Sequence, residues 1–179
     1  MEFKNDTIES ERLYLYPVML KDVGGYYKFC RDREVCRYLT FNPYHLRYVL
    51  KQTIINMIRA QLENRDIHYT IVKKDIGKIV GSISLSRLND DDKAFEIGIM
   101  INRKYWHQHI ASEALKAIEN QAFRDYDVER LIAKYIKDNV ASAKLFEKSG
   151  YKIYRTVKDG FIKNKKTYDL VYVYKKKIG

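Results

Sequence analysis

Apolar and polar positions alternate with two different periods along this chain, and the changes of period mark out its elements. Leu13 and Leu15, set among tyrosines and followed by Pro17, have the pattern of a first strand. Between residues 21 and 37 the apolar positions take helical spacing, which predicts one or two short helices in spite of Gly24-Gly25. Pro43 suits the first turn of a longer helix, along which Leu46, Leu50, Ile54, Met57, Ile58 and Leu62 form one stripe for burial. From Ile67 the period drops to two. Residues 68–73 and 78–88 read as a hairpin around Lys74-Asp75-Ile76-Gly77, and the polar cluster Asn89-Asp90-Asp91-Asp92 reads as a loop. Phe95, Ile97, Ile99 and Ile101 then alternate with Ala94, Glu96, Gly98 and Met100, giving one apolar strand face and one that carries a carboxylate.

Helical spacing returns at 110–123, where Ala111, Leu115, Ile118 and Ala122 form the buried stripe. Residues 131–136 are a strand. Asp138 or Asn139 caps a short helix that Gly150 ends, and two last strands, 151–157 and 167–174, flank a loop at Asp159-Gly160. The order is strand, helices, three strands, helix, strand, helix, two strands. It predicts an α/β fold in the broad sense, an α+β mixed sheet with helices packed against it. No linker, repeat or low-complexity stretch interrupts it, so residues 1–179 read as a single domain.

Composition narrows the class. At 179 residues and 21.4 kDa, with 46% hydrophobic and 32% charged residues, the chain can bury a core without staples. No run of about eighteen apolar residues is present, so a membrane span is not expected. The start Met1-Glu2-Phe3-Lys4-Asn5-Asp6 lacks the apolar centre of a signal peptide, and the expected location is the cytoplasm. Cys30 and Cys36 cannot make a disulfide framework and read as two small buried thiols; on one helical repeat, six residues apart, they would lie on different sides of the axis. The net charge of +11 is spread along the chain, and its tightest run, Lys175-Lys176-Lys177, reads as a solvated tail. No recognition helix, RNA-binding aromatic motif or zinc knuckle accompanies that charge, so no specific nucleic acid is expected. The 16 tyrosines suit strand edges or the lining of a cleft.

The segment with chemistry in it is residues 96–115, where a strand runs through a short loop into a helix. The first turn of a helix has amides without intrahelical acceptors and the positive end of the dipole, so such a junction is a natural cradle for phosphate or pyrophosphate. With three other segments, this one resembles the GNAT N-acetyltransferase superfamily, in particular its ribosomal-protein N-terminal acetyltransferase-like branch. Ser10-Glu11-Arg12-Leu13-Tyr14-Leu15-Tyr16-Pro17 resembles that branch's first strand, and Arg31-Asp32-Arg33-Glu34-Val35-Cys36-Arg37-Tyr38-Leu39 its early helical segment. Residues 96–115 match the acetyl-CoA motif. Asp138-Asn139-Val140-Ala141-Ser142-Ala143-Lys144-Leu145-Phe146-Glu147-Lys148-Ser149-Gly150-Tyr151 matches the second cofactor motif. The four occur in the family's order over nearly the whole chain.

One position departs from the pattern. The family's loop reads Trp-Gly-x-Gly-x-Ala, and this chain has Trp106-His107-Gln108-His109-Ile110-Ala111, with histidine at both glycine positions. Glycine takes positive φ without steric penalty and lets a phosphate come close to the backbone. Histidine adds a Cβ and a ring, but it enters the left-handed region more readily than most residues and can donate a hydrogen bond to phosphate oxygen. His-x-His also invites a metal reading. His45 and His68 fall on a different helix and strand, and no cysteine or carboxylate stands at zinc spacing, so no metal is expected.

The resemblance implies a GNAT-like acyl-CoA N-acyltransferase fold of about seven strands and about four helices. It also implies an acetyl-CoA-dependent N-acetyltransferase that moves acetyl directly to a primary amine. Backbone groups of Ile99, Met100 and Ile101 would pair with the pantetheine arm, and the amides of His107, Gln108, His109, Ile110, Ala111 and Ser112 would hold the pyrophosphate. Asn139 is implied as a cofactor contact and Ser142 as a proton donor or hydrogen-bond donor near the thioester sulfur, although both residue types also cap helices. Phe146 stands where some relatives have a tyrosine acid, which closes that route here. Glu96 shares its strand face with Gly98 and Met100 and is the candidate base, against the alternative of a solvent-facing carboxylate. The branch acts on protein N-termini, polyamines, amino acids and aminoglycosides; a basic surface favours an acidic peptide or protein N-terminus. A homodimer is compatible with this reading. The competing reading is a catalytically impaired member that binds CoA or another ligand without transfer, the histidine loop marking the loss.

Overall fold

Eight strands form one mixed sheet in the computed structural model of the chain, which describes residues 2–4, 6–88 and 91–177. In chain order the elements are β1 (Ile8–Glu9), β2 (Leu13–Pro17), α1 (Val23–Cys30), α2 (Arg33–Cys36), α3 (Arg47–Leu62), β3 (Asp66–Lys73), β4 (Lys78–Leu88), β5 (Asp91–Ile101), α4 (Ile110–Asp125), β6 (Arg130–Ile136), α5 (Val140–Lys148), β7 (Lys152–Lys163) and β8 (Lys166–Lys176). Short 3-10 turns occupy Leu20–Asp22 and Arg103–Tyr105. The spatial order is β1-β2-β3-β4-β5-β6-β8-β7, and all neighbours are antiparallel except β5 and β6. A parallel pair needs a long crossover, and α4 supplies it.

Each face of the sheet has its own core. The isoleucine stripe of β5 packs with Leu13, Leu15, Ile71 and Ile83 against Ile110, Leu115 and Ile118 of α4. On the other side Val23, Tyr26, Phe29, Leu50 and Ile54 pack together under α1 to α3, with Met100 against them. The strict alternation along β5 therefore serves two different cores, since successive side chains point to opposite faces.

The feature that positions the site is a parting between β5 and β6. They pair only over residues 94–97 and 130–133. Beyond Ile97, β5 stays with β4 (Ile99 with Ile83, Met100 with Ser82, Ile101 with Gly81), whereas β6 follows β8 (Lys134 with Tyr172, Ile136 with Leu170). A wedge opens between the two strand ends. The Asn102 amide donates to Val80 O on the β4 side, so by alternation the backbone groups of Ile101 and Ile99 turn toward the wedge.

Several elements differ from the sequence-based expectation. Eight strands and five α-helices are present rather than about seven and about four, because Ile8–Glu9 adds a short edge strand and the early helical segment breaks in two. Pro43 lies outside the long helix, which starts at Arg47, and the ends of its stripe are exposed, Leu46 at 54% and Leu62 at 79%. Asp91 and Asp92 begin β5 instead of sitting in the loop; Asn89 and Asp90 lie outside the described residues. Asp159-Gly160 is not the hairpin loop. It is a bulge within β7, where the register shifts between Val157 and Phe161 and Asp159 takes φ of 52°, and the chain reverses at Asn164 and Lys165. Cys30 and Cys36 are both buried, as expected. They are not on opposite sides of one helix, because the break at Asp32 turns Cys36 back so that its Sγ reaches the Cys30 carbonyl at 3.3 Å. Burial pushes the two thiols up to about 12 and about 11, which favours the protonated form.

Candidate active site

Past the end of β5 the chain makes the Arg103–Tyr105 turn and then the loop 106–109, which opens α4. Trp106 donates its indole N–H to Ile101 O at 2.9 Å, which ties the loop to the wedge edge of β5. His107 and His109 take φ of 60° and 59°, both left-handed. The two histidines thus adopt a left-handed backbone conformation that favours glycine, at the steric expense of their Cβ atoms. His109 is the residue before α4, and the first helical bond runs from the Glu113 amide to the His109 carbonyl at 3.1 Å. The amides of Ile110, Ala111 and Ser112 precede that bond and have no intrahelical acceptor. Ser112 donates its hydroxyl to His109 O at 2.9 Å and so braces the turn from within.

A second set of contacts holds this helix end from outside. The Glu113 carboxylate accepts from the Arg12 amide (2.7 Å), the Ser10 hydroxyl (2.7 Å) and Arg12 Nε (2.6 Å), while Arg12 Nη1 reaches Gln108 O at 3.1 Å. Burial pushes the Glu113 carboxyl up, but these donors outweigh it and hold it below the usual carboxylate range. The start of β2 therefore clamps both the loop and the first turn of α4.

The strain in the loop is testable. His109→Gly is expected to keep or raise the melting temperature, because it removes a left-handed Cβ at the entropic expense of glycine. His109→Val, β-branched at the same φ, is expected to lose about 1.5 kcal/mol, or roughly 5 °C. Equal melting of the two variants would show that the left-handed geometry is not retained in solution.

Across the wedge, Asn139 caps α5 by accepting the Ser142 amide at 3.2 Å through Oδ1. The capping role is thus real, and it leaves the Asn139 amide hydrogens and the Ser142 hydroxyl available. Phe146 is buried core, stacked on Tyr135 at 6.2 Å and edge-on to Tyr151 at 5.1 Å. Tyr135 stands in the half of β6 that has left β5, and burial raises its hydroxyl above its ordinary value.

Glu96 lies on the face expected of it, shared with Gly98 and Met100 and turned away from α4. Its carboxylate is not simply solvated: Lys134 Nζ meets it at 3.0 Å across the β5–β6 pair. Tyr154, Tyr172 and Tyr174 make a cluster of edge contacts at 5.8 to 6.1 Å on the neighbouring strands, and the Glu96 charge is one of the influences that raise the Tyr154 hydroxyl, after burial and Tyr172. The structure thus brings the residues at 99–101, the 107–112 loop, Asn139 and Ser142 to one end of the sheet, around the mouth of the wedge. Glu96 sits further in, next to the last paired residues. Sequence reasoning did not find Lys134, Arg12 or Glu113. Among the described residues no three His, Cys, Asp or Glu side chains group as a metal site, and no helix is long and apolar enough to cross a membrane.

An unpaired backbone edge and a helix N-terminus with free amides fit an elongated ligand with an amide-bearing arm and a pyrophosphate. Comparison with known proteins points the same way. The family profile described as acetyltransferase (GNAT) domain matches residues 12–152. The N-acetyltransferase p20 of Bacillus licheniformis, itself uncharacterised, is 25% identical over 150 residues, covering 81% of this chain and 84% of that protein. A GNAT-family acetyltransferase from Bacillus anthracis has a similar structure, with a TM-score of 0.86 at 21% identity over 96% of this chain and 98% of that one. RimL, a ribosomal L7/L12 alpha-N-protein acetyltransferase solved with coenzyme A, superposes with a TM-score of 0.88 at 18% identity over 96% and 98%. At such identities the structural likeness establishes a shared fold.

Proposed function

We propose, for a chain that belongs to the GNAT acetyltransferase family and uses acetyl-CoA as cosubstrate, that the acceptor is the N-terminal amine of an acidic peptide or protein and that transfer is direct. One observation carries the choice of acceptor. From Val35 to Leu62 there is no Asp or Glu; Arg47 is the first residue of α3 and Lys51 follows one turn on, at the end of the helix nearer the mouth of the wedge, while Arg37 is paired with Glu34 and Arg59 lies at the far end of the helix. Such a rim attracts an anionic chain and repels a polyamine or aminoglycoside. The activity named for RimL, on the N-terminus of a ribosomal protein, supports the same class of acceptor. This reading suits a cytoplasmic enzyme.

The thioester supplies the acetyl carbonyl that an amine attacks. The chain's own residues have three tasks. Backbone groups of Ile99 and Ile101 align the pantetheine arm along the wedge, while those of Met100 between them face Ser82 of β4, and the amides of residues 107–112 with Asn139 fix its other parts. Glu96 takes the proton of the incoming ammonium, directly or through a water, with Lys134 holding the carboxylate in place. The nitrogen bonds to the acetyl carbon as the C–S bond breaks, Ser142 donates a hydrogen bond to the departing sulfur, and the thiolate takes up the second proton of the amine, so the products are the amide and CoA thiol. The left-handed loop histidines support productive binding over the alternative of a member that has lost transfer.

The test is release of CoA thiol at saturating acetyl-CoA with an acidic peptide as acceptor. The peptide with a free N-terminus is expected to react and the same peptide with a blocked N-terminus is not. Raising the salt from about 0.05 M to about 0.5 M shortens the screening length several-fold, so kcat/KM for that peptide is expected to fall about 10-fold while an uncharged peptide changes little. Equal salt profiles for the two peptides would remove the acidic acceptor.

A further inference from the structure

The β7–β8 hairpin projects beyond the end of β6, because Ile136, the last residue of β6, pairs with Leu170, whereas β8 begins at Lys166. β5 and β6 run parallel, so their C-terminal ends, and with them the mouth of the wedge, lie at that same end of the sheet. The tip of the hairpin therefore overhangs the mouth. From this tip Lys163 donates to three carbonyls at and beyond the end of α2: Cys36 O at 2.6 Å, Leu39 O at 2.7 Å and Phe41 O at 2.8 Å. Three acceptors satisfy all three hydrogens of an ammonium, and each of these bonds joins residues more than 120 positions apart. Asn42 Nδ2 adds a bond to Asn164 Oδ1 at 3.1 Å. The other end of the segment is tied to the cofactor side, since Asp32 pairs with Arg103 at 2.9 Å just after β5.

Residues 32–42 are thus a strap strung between the end of β5 and the β7–β8 tip. We propose that Lys163 is the positioning residue for the acceptor: its three-carbonyl pin holds this strap across the mouth, and so sets how the amine-bearing chain enters while leaving acetyl-CoA binding alone. The inference rests on the reading of the wedge as the transfer site. An ammonium engaged only by carbonyl dipoles gives directional restraint that a surface ion pair does not. Burial also draws the Lys163 ammonium below its ordinary range, as expected of a group enclosed by the strap.

Lys163→Met keeps the length of the side chain and removes all three bonds. In the intact protein, hydrogen exchange across residues 36–42 is expected to speed up at least 10-fold, with exchange in α4 unchanged. The acetyl-CoA dissociation constant from calorimetry is expected to stay within 2-fold. With the acidic peptide as probe, KM is expected to rise about 10-fold and kcat to change less than 3-fold, and Asn42→Ala is expected to shift KM the same way by a smaller factor. Unchanged exchange in the strap, or an acetyl-CoA affinity that falls along with KM, would overturn the assignment. If the wild-type enzyme transfers acetyl to no amine, the proposed function fails. Lys163 as a positioning residue falls with it, and the exchange result then reports only whether the pin exists.

Discussion

Ala111→Glu is expected to weaken acetyl-CoA binding about 100-fold without lowering the melting temperature. Ala111 is the second residue of α4, among amides that have no intrahelical acceptor. A carboxylate in the first turn of a helix interacts favourably with those amides and with the dipole, so the folded state tolerates it. The same carboxylate occupies the donors that pyrophosphate would use and adds a like charge beside it. A 100-fold loss corresponds to about 2.7 kcal/mol. Two like charges about 4 Å apart near a protein surface repel by about 4 kcal/mol, so the expected loss is moderate. Calorimetric titration with acetyl-CoA is the measurement, and Ala111→Gln, of the same length without charge, is the control and should lose less than 10-fold. Wild-type affinity in Ala111→Glu would mean that the pyrophosphate is not held at this helix end.

Lys175→Met is expected to destabilise the protein by about 4 kcal/mol, seen as a fall of roughly 10 °C in melting temperature. Glu119 of α4 is buried, its side chain 6% exposed, and its Oε2 accepts from Lys175 Nζ of β8 at 2.6 Å. Its Oε1 has no hydrogen-bond partner and lies beside the Tyr151 hydroxyl, also buried, without meeting hydrogen-bond geometry. Removal of the lysine leaves a carboxylate in a low-dielectric site with nothing to compensate its lost hydration. The double variant Glu119→Leu with Lys175→Met removes both charges and is expected to recover most of the loss, because an apolar pair of similar volume is often as stable as a buried ion pair. Urea unfolding of the three proteins decides it. A loss below about 1 kcal/mol in the single variant would show that solvent reaches Glu119.

What could be read from the sequence was local. The period of two along 95–101, the bounds of β4, the start of α4 at Ile110 and the Gly150 stop all follow from spacing and punctuation within a few residues. Pro43 and Asp159-Gly160 misled because a proline at a plausible helix start and an Asp-Gly pair also suit an irregular segment and a bulge, and tertiary contacts decide between them. Lys134 beside Glu96, Arg12 on Glu113 and Lys163 on the strap are separated by 38 to 127 residues. These pairings depend on the order of strands in the sheet, which no window of sequence contains. The histidines show the opposite case: their departure from glycine is visible at once, but only the backbone shows that both take the left-handed conformation.

The short ladder between β5 and β6 also bears on how the molecule comes together. The strand ladder that joins the first five strands to the last three is short, residues 94–97 with 130–133, and it runs in parallel, across the whole of α4. β3 to β5 are joined by short returns and β7 and β8 form a hairpin of their own, whereas β2 reaches β3 only across α1 to α3. Joining the two parts of the sheet closes a loop through α4 for a small number of rungs, the kind of contact that forms late in folding and opens first in local unfolding. The seam proposed to take the cofactor is for the same reason a short-laddered line in the sheet, and a molecule lying in it would act as a stitch between its two sides.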